Sequence, residues 1–221
     1  MVRFCERNAR GRKVRHGPFR AYHSNGRLKA IGRYVDGLLD GRYRALHRNR
    51  RLKERGQWKA GKRTGKWVSW RRNGRKASEA TYKGGLRHGP WRAWFRNSWD
   101  SGPFLDGLKH GRWVTVLYTG ERHEEGYDQG RKHGAFVSFG NDGRKLKEST
   151  YNAGRPVGTW RAWWGNGSQR LEGTYVDGRK EDSWQRWHVN GQIAERAQWH
   201  HGRRSGSTER WYEGGAVLEQ G

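Results

Sequence analysis

A repeat of about 24 residues is the feature of this sequence that most restricts its fold. The motif Gly-x-aromatic-x-x-aromatic, with substitutions in some copies, begins at Gly17, Gly41, Gly65, Gly89, Gly111, Gly134, Gly158 and Gly206, and Asp182 replaces the glycine of the eighth copy. The spacings between successive copies are 24, 24, 24, 22, 23, 24, 24 and 24 residues. Such a period indicates stacked supersecondary units, each of which buries its face only against its neighbours.

The aromatic residues follow the same period. An aromatic residue lies seven positions before each new repeat, and these residues are Tyr34, Trp58, Tyr82, Phe104, Tyr127, Tyr151, Tyr175 and Trp199. Together with the third and sixth positions of each repeat, they account for 23 of the 29 Phe, Trp and Tyr residues. Three repeat positions therefore carry most of the large side chains.

Each repeat is predicted to be a β-hairpin. In the third copy, residues 65–70 read as a strand, 72–75 as a turn, 76–82 as a returning strand and 83–88 as the link to the next repeat. Asn-Gly pairs at 25–26, 73–74, 166–167 and 190–191 are expected to supply the positive φ values of tight hairpin turns. No long helical periodicity is present, so an all-β array is favoured.

The composition is compatible with a fold only if the rings form the core. Leu, Ile, Val and Phe number just 31 of 221 residues and the net charge is +26, values typical of disordered chains. The first aromatic of most repeats shares its strand face with a small residue two positions later, such as Ala45 or Ala93. Rings that lie over small residues, each burying roughly 150–250 Å², would make a core with few aliphatic side chains.

These residues resemble the MORN-type repeat. The resemblance rests on Gly-x-Trp-x-x-Trp-x-x-Asn-Gly followed by an aromatic residue and Gly-x-x-His-Gly, seen from Trp91 to Gly111 and from Tyr127 to Gly134. It is closer to the bacterial MORN-variant repeats described as antitoxin components of toxin–antitoxin systems. The resemblance implies an elongated, single-layer antiparallel sheet of eight or nine tandem hairpins that binds or scaffolds rather than catalyses. The chain departs from the pattern in its arginine content, in a shortened fourth repeat (97–100) and at Asp182.

The domain prediction is a basic N-terminal arm, residues 1–16, followed by the repeat array, residues 17–221. Neither an 18-residue apolar stretch nor an apolar leader is present, so a cytoplasmic location is expected. Cys5, the only cysteine, has no partner for an internal disulfide or a Cys-based zinc site and is interpreted as incidental.

Motifs that imitate enzyme sites are explained by the repeat. Residues 56–62 resemble a phosphate-binding loop, but Arg63 occupies the place of the required Ser or Thr. Residues 123–126 begin like a zinc-protease helix, but Tyr127 occupies the place of the second histidine. No nucleophile, base and orienting group can be nominated, so no enzyme activity and no cofactor are predicted.

Recurring histidines and glutamates also receive structural interpretations. His16, His88, His110 and His133 precede the repeat glycine, and equivalent positions about 10 Å apart cannot share one metal ion. They are predicted to support the link turns, no metal site is predicted, and the His200–His201 pair is not assigned to one. The glutamates on returning strands, Glu54, Glu79, Glu148, Glu172 and Glu195, are expected to pair with Arg or Lys of neighbouring strands.

Interleaved basic and aromatic residues form the candidate binding site. On the face opposite the first aromatics, the sequence predicts Arg20 with Tyr22, Arg92 with Trp94 and Arg161 with Trp163, continued by Arg44, Trp70 and Trp187. The turns add Arg27, Arg51, Arg75 and Arg144. The links add Lys62, Arg63, Arg87, Lys109, Arg131, Lys132, Arg155, Arg179, Lys180, Arg203 and Arg204. Such an array is the electrostatic footprint expected of a nucleic-acid-binding protein.

The leading hypothesis is therefore a non-catalytic repeat protein that binds RNA or DNA through phosphate contacts, with little sequence selectivity and a steep dependence on salt. One alternative is a protein-binding module, either an antitoxin that masks an acidic toxin or an assembly scaffold. A second alternative is attachment to anionic membrane lipid. Solvated repeat edges and internal cation–π contacts would also account for part of the arginine content.

Overall fold

The structure, a computed structural model, describes residues 2–9 and 11–220. The chain divides into two compact bodies, an N-terminal body (Met1–Leu108) and a C-terminal body (Lys109–Gly221). Within each body, antiparallel strands follow one another as consecutive hairpins in an open sheet. The predicted all-β hairpin architecture is confirmed. Met1 and Arg10 of the predicted arm, and Gly221 at the end of the predicted array, lie outside the described residues.

The first ten strands belong to the N-terminal body. They are β1 (Val2–Ala9), β2 (Arg12–Tyr22), β3 (Leu28–Val35), β4 (Leu38–Leu39), β5 (Gly41–Leu46), β6 (Leu52–Lys59), β7 (Lys62–Trp70), β8 (Lys76–Lys83), β9 (Leu86–Trp94) and β10 (Trp99–Leu105). Strand β1 pairs antiparallel with β2, so part of the segment predicted as a basic arm is a strand.

The strands after β10 are β11 (Leu108–Lys109), β12 (Gly111–Val116), β13 (Arg122–Asp128), β14 (Arg131–Phe139), β15 (Lys145–Asn152), β16 (Arg155–Trp163), β17 (Gln169–Val176), β18 (Arg179–Trp187), β19 (Ile193–His200), β20 (Arg203–Trp211) and β21 (Val217–Gln220). No helix among the described residues is long and apolar enough to cross a membrane.

The turns at the Asn-Gly pairs and the turns in the links differ in their backbone angles. At Asn25–Gly26 only the glycine is left-handed, with φ 75°, and the Asn25 side chain accepts a hydrogen bond from the Arg27 amide at 3.3 Å. The links carry two successive left-handed residues, as at Asp177 (φ 48°) and Gly178 (φ 84°). Two positive φ values mark the primed two-residue turn. The predicted hairpin turns at Asn-Gly are therefore confirmed, with the glycine alone supplying the positive φ, and the primed two-residue turns lie in the links.

The first glycine of each repeat is required by its backbone angle. Gly158 and Gly206 have φ values of 68° and 73°, in the left-handed region that side chains disfavour. Asp182, which replaces this glycine, has φ 59°. Asp is among the few side chains enriched in that region, so the substitution preserves the backbone path.

The core of each body consists of rings that lie directly over small residues. In the N-terminal body, a Cβ added to Gly56 would lie 2.2 Å from Cδ2 of Trp67, and Trp67 itself is only 3% exposed. In the C-terminal body, the same addition to Gly173 would lie 2.1 Å from Cδ2 of Trp184. Ala80 and Ala197 are buried at the positions that correspond to Gly56 and Gly173, and Ala162 is buried two residues after the first aromatic of its repeat. The predicted packing of large over small residues is confirmed.

Neighbouring rings extend this core along each body. Trp67 is edge-on to Trp58 at 5.3 Å between centroids and to Tyr82 at 6.3 Å. Tyr175 lies 5.0 Å from both Trp160 and Trp184. Edge-to-face and tilted pairs at these separations add to the burial energy of the rings. The face that carries these rings is called the ring face below.

A methyl group on Gly173 should disrupt the ring face. We expect Gly173→Ala to lower the free energy of unfolding by about 1–3 kcal/mol, because Trp184 cannot move without breaking its contacts. Gly165→Ala is the control, since nothing lies within 4 Å of the new Cβ, and it should stay within about 0.5 kcal/mol of the parent. Urea denaturation followed by tryptophan fluorescence measures both, and equal effects would contradict the packing.

Candidate functional site

One cation of most links lies over the ring face. The Arg63 guanidinium lies 4.0 Å from the Trp67 ring centroid, and the ammonium groups of Lys109 and Lys180 lie 4.0 and 4.2 Å from Trp113 and Trp184. Arg87, Lys132 and Arg204 make similar contacts with Phe104, Phe136 and Trp199 at 5.0, 5.1 and 5.7 Å. These predicted binding residues are therefore engaged with the protein's own rings.

Carboxylates hold several of these cations in place. Arg63 is 3.0 Å from Glu54, Lys132 is 2.9 Å from Glu125 and Arg204 is 2.7 Å from Glu195. Lys180 is partly buried beneath neighbouring groups, and this burial lowers its pKa from the ordinary value. Glu79 likewise pairs with Lys66 and Lys76. Of the five glutamates expected to pair with Arg or Lys, the remaining two, Glu148 and Glu172, both pair with Arg161 at 3.3 Å.

The predicted arginine and aromatic lines on the opposite face are largely used within the protein. The Arg92 guanidinium lies 5.3 Å from the Trp94 centroid and 4.2 Å from that of Trp99. Arg161 is held between two glutamates, and the Trp163 ring lies 5.5 Å from the Lys145 ammonium. Tyr22 and Trp70 contact Arg3 and Arg55, while Trp187 accepts a hydrogen bond on its carbonyl from Trp164. Arg20 and Arg44 are exposed.

The turn arginines connect one hairpin turn to the next. Arg27 donates to the carbonyl of Arg48 at 3.0 Å, Arg51 to that of Asn73 at 2.5 Å and Arg144 to that of Gly165 at 3.2 Å. Arg75 is exposed at the equivalent position. These arginines have a structural task, although part of each guanidinium remains open to solvent.

A second set of hydrogen bonds connects successive turns, and the sequence analysis did not predict it. The seventh side chain of several repeats bonds to the sixth carbonyl of the next, as His47 does with Trp70 at 2.8 Å and His188 with Trp211 at 2.9 Å. Trp164 makes the same contact with Trp187 at 3.0 Å. Because His, Arg and Trp side chains all make this contact, no single residue type at this position predicts the hydrogen bonds from the sequence.

Four link arginines of the C-terminal body remain without carboxylate partners in the part of the chain that the structure describes. They are the first residues of β14, β16, β18 and β20, and are called the link arginine row: Arg131, Arg155, Arg179 and Arg203. All four are exposed. In three cases the next residue, Lys132, Lys180 or Arg204, reaches the ring face, and alternation along a strand directs its neighbour to the other side.

Two members of the link arginine row pack against the next link. The stem of Arg155 would lie 3.5 Å from a Cβ on Gly178, and that of Arg179 would lie 3.5 Å from a Cβ on Gly202. The amides of Gly178 and Gly202 also donate to carbonyls of the preceding links at 3.0 and 2.9 Å. Adjacent members of the row are separated by two strands, which corresponds to about 10 Å. The arginines thus form a regular line of charge.

The same repeat position is mostly apolar in the N-terminal body. Leu38, Leu86 and Leu108 are 50%, 52% and 50% exposed there, and Lys62 is the only basic member. These four residues are called the leucine row. Leu38 and Leu86 rest against Gly61 and Gly107 of the next link in the way the arginine stems do in the C-terminal body.

A second basic and aromatic cluster accompanies the shortened fourth repeat. Trp94 and the 52%-exposed Phe95 line a shallow depression of about 630 Å³ with Arg71, Lys76 and Arg96. Lys76 lies 5.7 Å from the Trp94 centroid, and its ammonium also bonds Glu79. Two of its lining residues, Trp94 and Arg75, belonged to the predicted site, and the shortened turn had marked this repeat as unusual.

Three of the four recurring histidines support the links as expected, whereas for the fourth, His133, Ala153 takes the place of the aspartate. His16 Nδ1 is 3.4 Å from a carboxylate oxygen of Asp36, and His88 Nδ1 is 3.1 Å from that of Asp106. His110 Nδ1 lies 3.2 Å from Asp128. Each pair joins one link to the next, so these histidines serve the turns.

One hairpin of the array matches a known family model. Residues 15–36 match the family model described as MORN repeat variant. The matched segment contains most of β2, all of β3 and the first residue of the link turn at Asp36–Gly37, and the other hairpins repeat its pattern of rings and glycines. No curated protein sequence matches the chain.

The cations over the ring face should matter for stability. We expect Arg63→Met, which keeps an apolar stem but loses the contacts with Trp67 and Glu54, to lower the free energy of unfolding by about 1 kcal/mol. Lys62→Met is the control with the same charge change at an exposed site, and it should cost less than about 0.5 kcal/mol. Thermal and urea denaturation would check the difference; a larger loss from Lys62→Met would contradict the assignment.

Proposed function

We propose that the C-terminal body binds RNA or DNA through the link arginine row. The observation that carries this proposal is the regular line of four exposed arginines without carboxylate partners among the described residues, in a protein whose net charge is +26. The carboxylates nearby are committed to other cations, such as Glu195 to Arg186, Arg204 and Arg210. The row is therefore a regularly spaced basic surface that is available to an external anion.

The chemistry of arginine favours a phosphate ligand. Its planar guanidinium presents paired donors to phosphate oxygens and is more weakly hydrated than an ammonium group. Three steps of about 10 Å give a row of about 30 Å, and each duplex strand carries one phosphate per about 3.4 Å of axis. A nucleic acid can thus engage all four side chains together, with a chain of phosphates rather than a particular base sequence as the recognised feature.

The row can be tested by removing its charge. We expect the quadruple variant Arg131→Gln, Arg155→Gln, Arg179→Gln and Arg203→Gln to bind mixed-sequence RNA or DNA more than about tenfold more weakly at low salt. The slope of log K against log salt should fall by about 3, since each single-strand phosphate contact contributes about 0.7. Fluorescence anisotropy with untagged, nuclease-treated protein provides the measurement.

A second quadruple variant controls for net charge. It replaces four exposed arginines, none of which forms a described ion pair, by Gln: Arg33, Arg42, Arg48 and Arg72. The control therefore loses as many positive charges as the row variant. This control should weaken binding much less than the row variant. Equal losses would show that net charge alone acts, absence of binding at low salt would remove the proposal, and flotation with acidic vesicles that exceeds oligonucleotide binding would favour lipid instead.

The leucine row favours a second function for the N-terminal body. Exposed Leu38, Leu86 and Leu108 at one repeat position offer apolar contacts, while Lys62 and the exposed Lys59 and Lys83 add positive charge. We propose that this surface docks an acidic protein. The antitoxin and scaffold roles implied by the resemblance to bacterial MORN-variant repeats are consistent with such a partner.

Docking on the leucine row predicts a defined loss. The double variant Leu38→Ser and Leu86→Ser should abolish capture of one stoichiometric acidic protein from nuclease-treated extract and should weaken binding of that protein, once purified, more than about tenfold. The link-arginine quadruple should retain it. A purified partner that binds the leucine variant and the parent equally would exclude this surface.

A further inference from the structure

The eighth link brings together three side chains that can bind a metal ion. Glu181 lies on β18, His200 ends β19 and His201 occupies the link turn. His200 Nδ1 is 2.6 Å from Glu181 Oε1, and His201 Nδ1 is 3.7 Å from Glu181 Oε2. The three potential ligand atoms all lie within 4.8 Å of one another, and within the described ranges 2–9 and 11–220 they form the only such group of three His, Cys, Asp or Glu residues.

This link reverses an arrangement seen elsewhere in the array. At the first hairpin, His16 directly precedes the repeat glycine Gly17. It pairs with Asp36, which occupies the left-handed turn position of the following link. In the eighth link, Glu181 occupies the position of His16 and His201, with φ 50°, that of Asp36. His200 then adds a second imidazole. The exchange converts a pair with one imidazole and one carboxylate into a set with two imidazoles and one carboxylate.

The geometry is close to that of a metal site. Ligands about 2.1 Å from a tetrahedral zinc ion lie about 3.4 Å from one another. Glu181 Oε2 and His201 Nδ1 already have a similar separation, while the hydrogen bond between Glu181 and His200 must lengthen by less than 1 Å, which is a small rotation for an exposed ring. The two rings lie 4.0 Å apart at an interplanar angle of 40°.

The carboxylate is held in place by hydrogen bonds. The backbone amide of His201 donates to Glu181 Oε2 at 2.7 Å, and the His200 ring lies within hydrogen-bond distance of Oε1. The Glu181 side chain is only 17% exposed, while those of His200 and His201 are 65% and 69% exposed. A metal ion can therefore reach the exposed imidazoles from solvent, while the carboxylate is already held in place.

We propose that Glu181, His200 and His201 bind one divalent transition-metal ion of the zinc class. Two imidazoles and one carboxylate suit Zn²⁺, Co²⁺, Ni²⁺ and Cu²⁺, and three protein ligands leave a position open to water or to an external ligand. The proposal does not depend on nucleic-acid binding, since none of the three residues belongs to the link arginine row.

Neighbouring charges set how salt affects the site. Arg179 and Arg203 flank the cluster and pair with neither a carboxylate nor a ring in the described chain. Their positive charges repel an incoming metal ion. Arg204 is neutralised by Glu195, and Lys180 lies over Trp184 and Trp199. Added salt screens the repulsion from the arginines. Metal binding should therefore hold or strengthen as salt rises, the opposite of nucleic-acid binding.

The test is titration of the untagged full chain with Zn²⁺ and, separately, Co²⁺. We expect one ion per chain by calorimetry, with histidine ring resonances of His200 and His201 shifted by Zn²⁺ and with visible Co²⁺ absorption that Zn²⁺ abolishes. Three variants remove one ligand each: Glu181→Gln, His200→Gln and His201→Asn. The last retains a residue that tolerates the left-handed backbone. Each should weaken metal binding by at least about tenfold. Replacing even a residue that only hydrogen-bonds to a metal ligand typically lowers metal affinity about 10–100-fold.

The matched control is His88→Gln, which removes the imidazole of another link where only one histidine and one aspartate meet. It should leave both stoichiometry and affinity unchanged. Failure of the parent to bind Zn²⁺ saturably, or equal binding by the parent and all three ligand variants, would overturn the proposal and leave the cluster as an ion pair that closes the link. Because the readouts are metal titrations, they stand apart from the outcome of any oligonucleotide experiment.

Discussion

Contact between a tryptophan ring and a glycine of the adjacent strand is the interaction on which the rest of each body depends. Trp67 over Gly56 and Trp184 over Gly173 approach so closely that no side chain fits between ring and backbone. A thin sheet with few aliphatic residues cannot bury a wide core, so it gains its apolar burial from large flat rings pressed onto backbone. The 24-residue period is the sequence record of this contact, because each ring needs its small partner on the next strand.

Rings packed in one layer leave their outer surfaces open, and the link cations close them. Lys180 over Trp184 and Arg63 over Trp67 combine an apolar stem with a charge that the ring attracts. Much of the positive charge thus belongs to the fold rather than to a partner. The adjacent link residue, Arg179 or Lys62, points away from the ring and is free of that duty. Two neighbouring cations in a link therefore have different tasks, set by strand alternation.

The sequence was sufficient for the hairpin array and the ring face, because both follow from a period that nine copies repeat. It did not separate Arg63 from Lys62, or Lys132 from Arg131, since both members of each pair are basic and the separation depends on which way a strand residue points after the link turn. The sequence also did not show which of the turns are of the primed type. Asn25–Gly26 matched the known signature of a primed turn, whereas links such as Ala153–Gly154 (φ 47° and 90°) adopt that geometry with an ordinary residue at the first position.

Departures from the repeat are informative because the fold restricts the positions where they occur. Asp182 keeps the left-handed backbone of the glycine it replaces, so it is explained by the fold alone. Glu181 and His201 keep the contact between links but exchange acid and imidazole, and His200 has no counterpart in the His16–Asp36 pair. Likewise, Arg155 and Arg179 of one body and Leu38 and Leu86 of the other occupy the same repeat position with the same packing on a link glycine. The backbone at these positions tolerates several side chains, so folding does not determine which side chain occurs there. Function is the remaining constraint that can select among them.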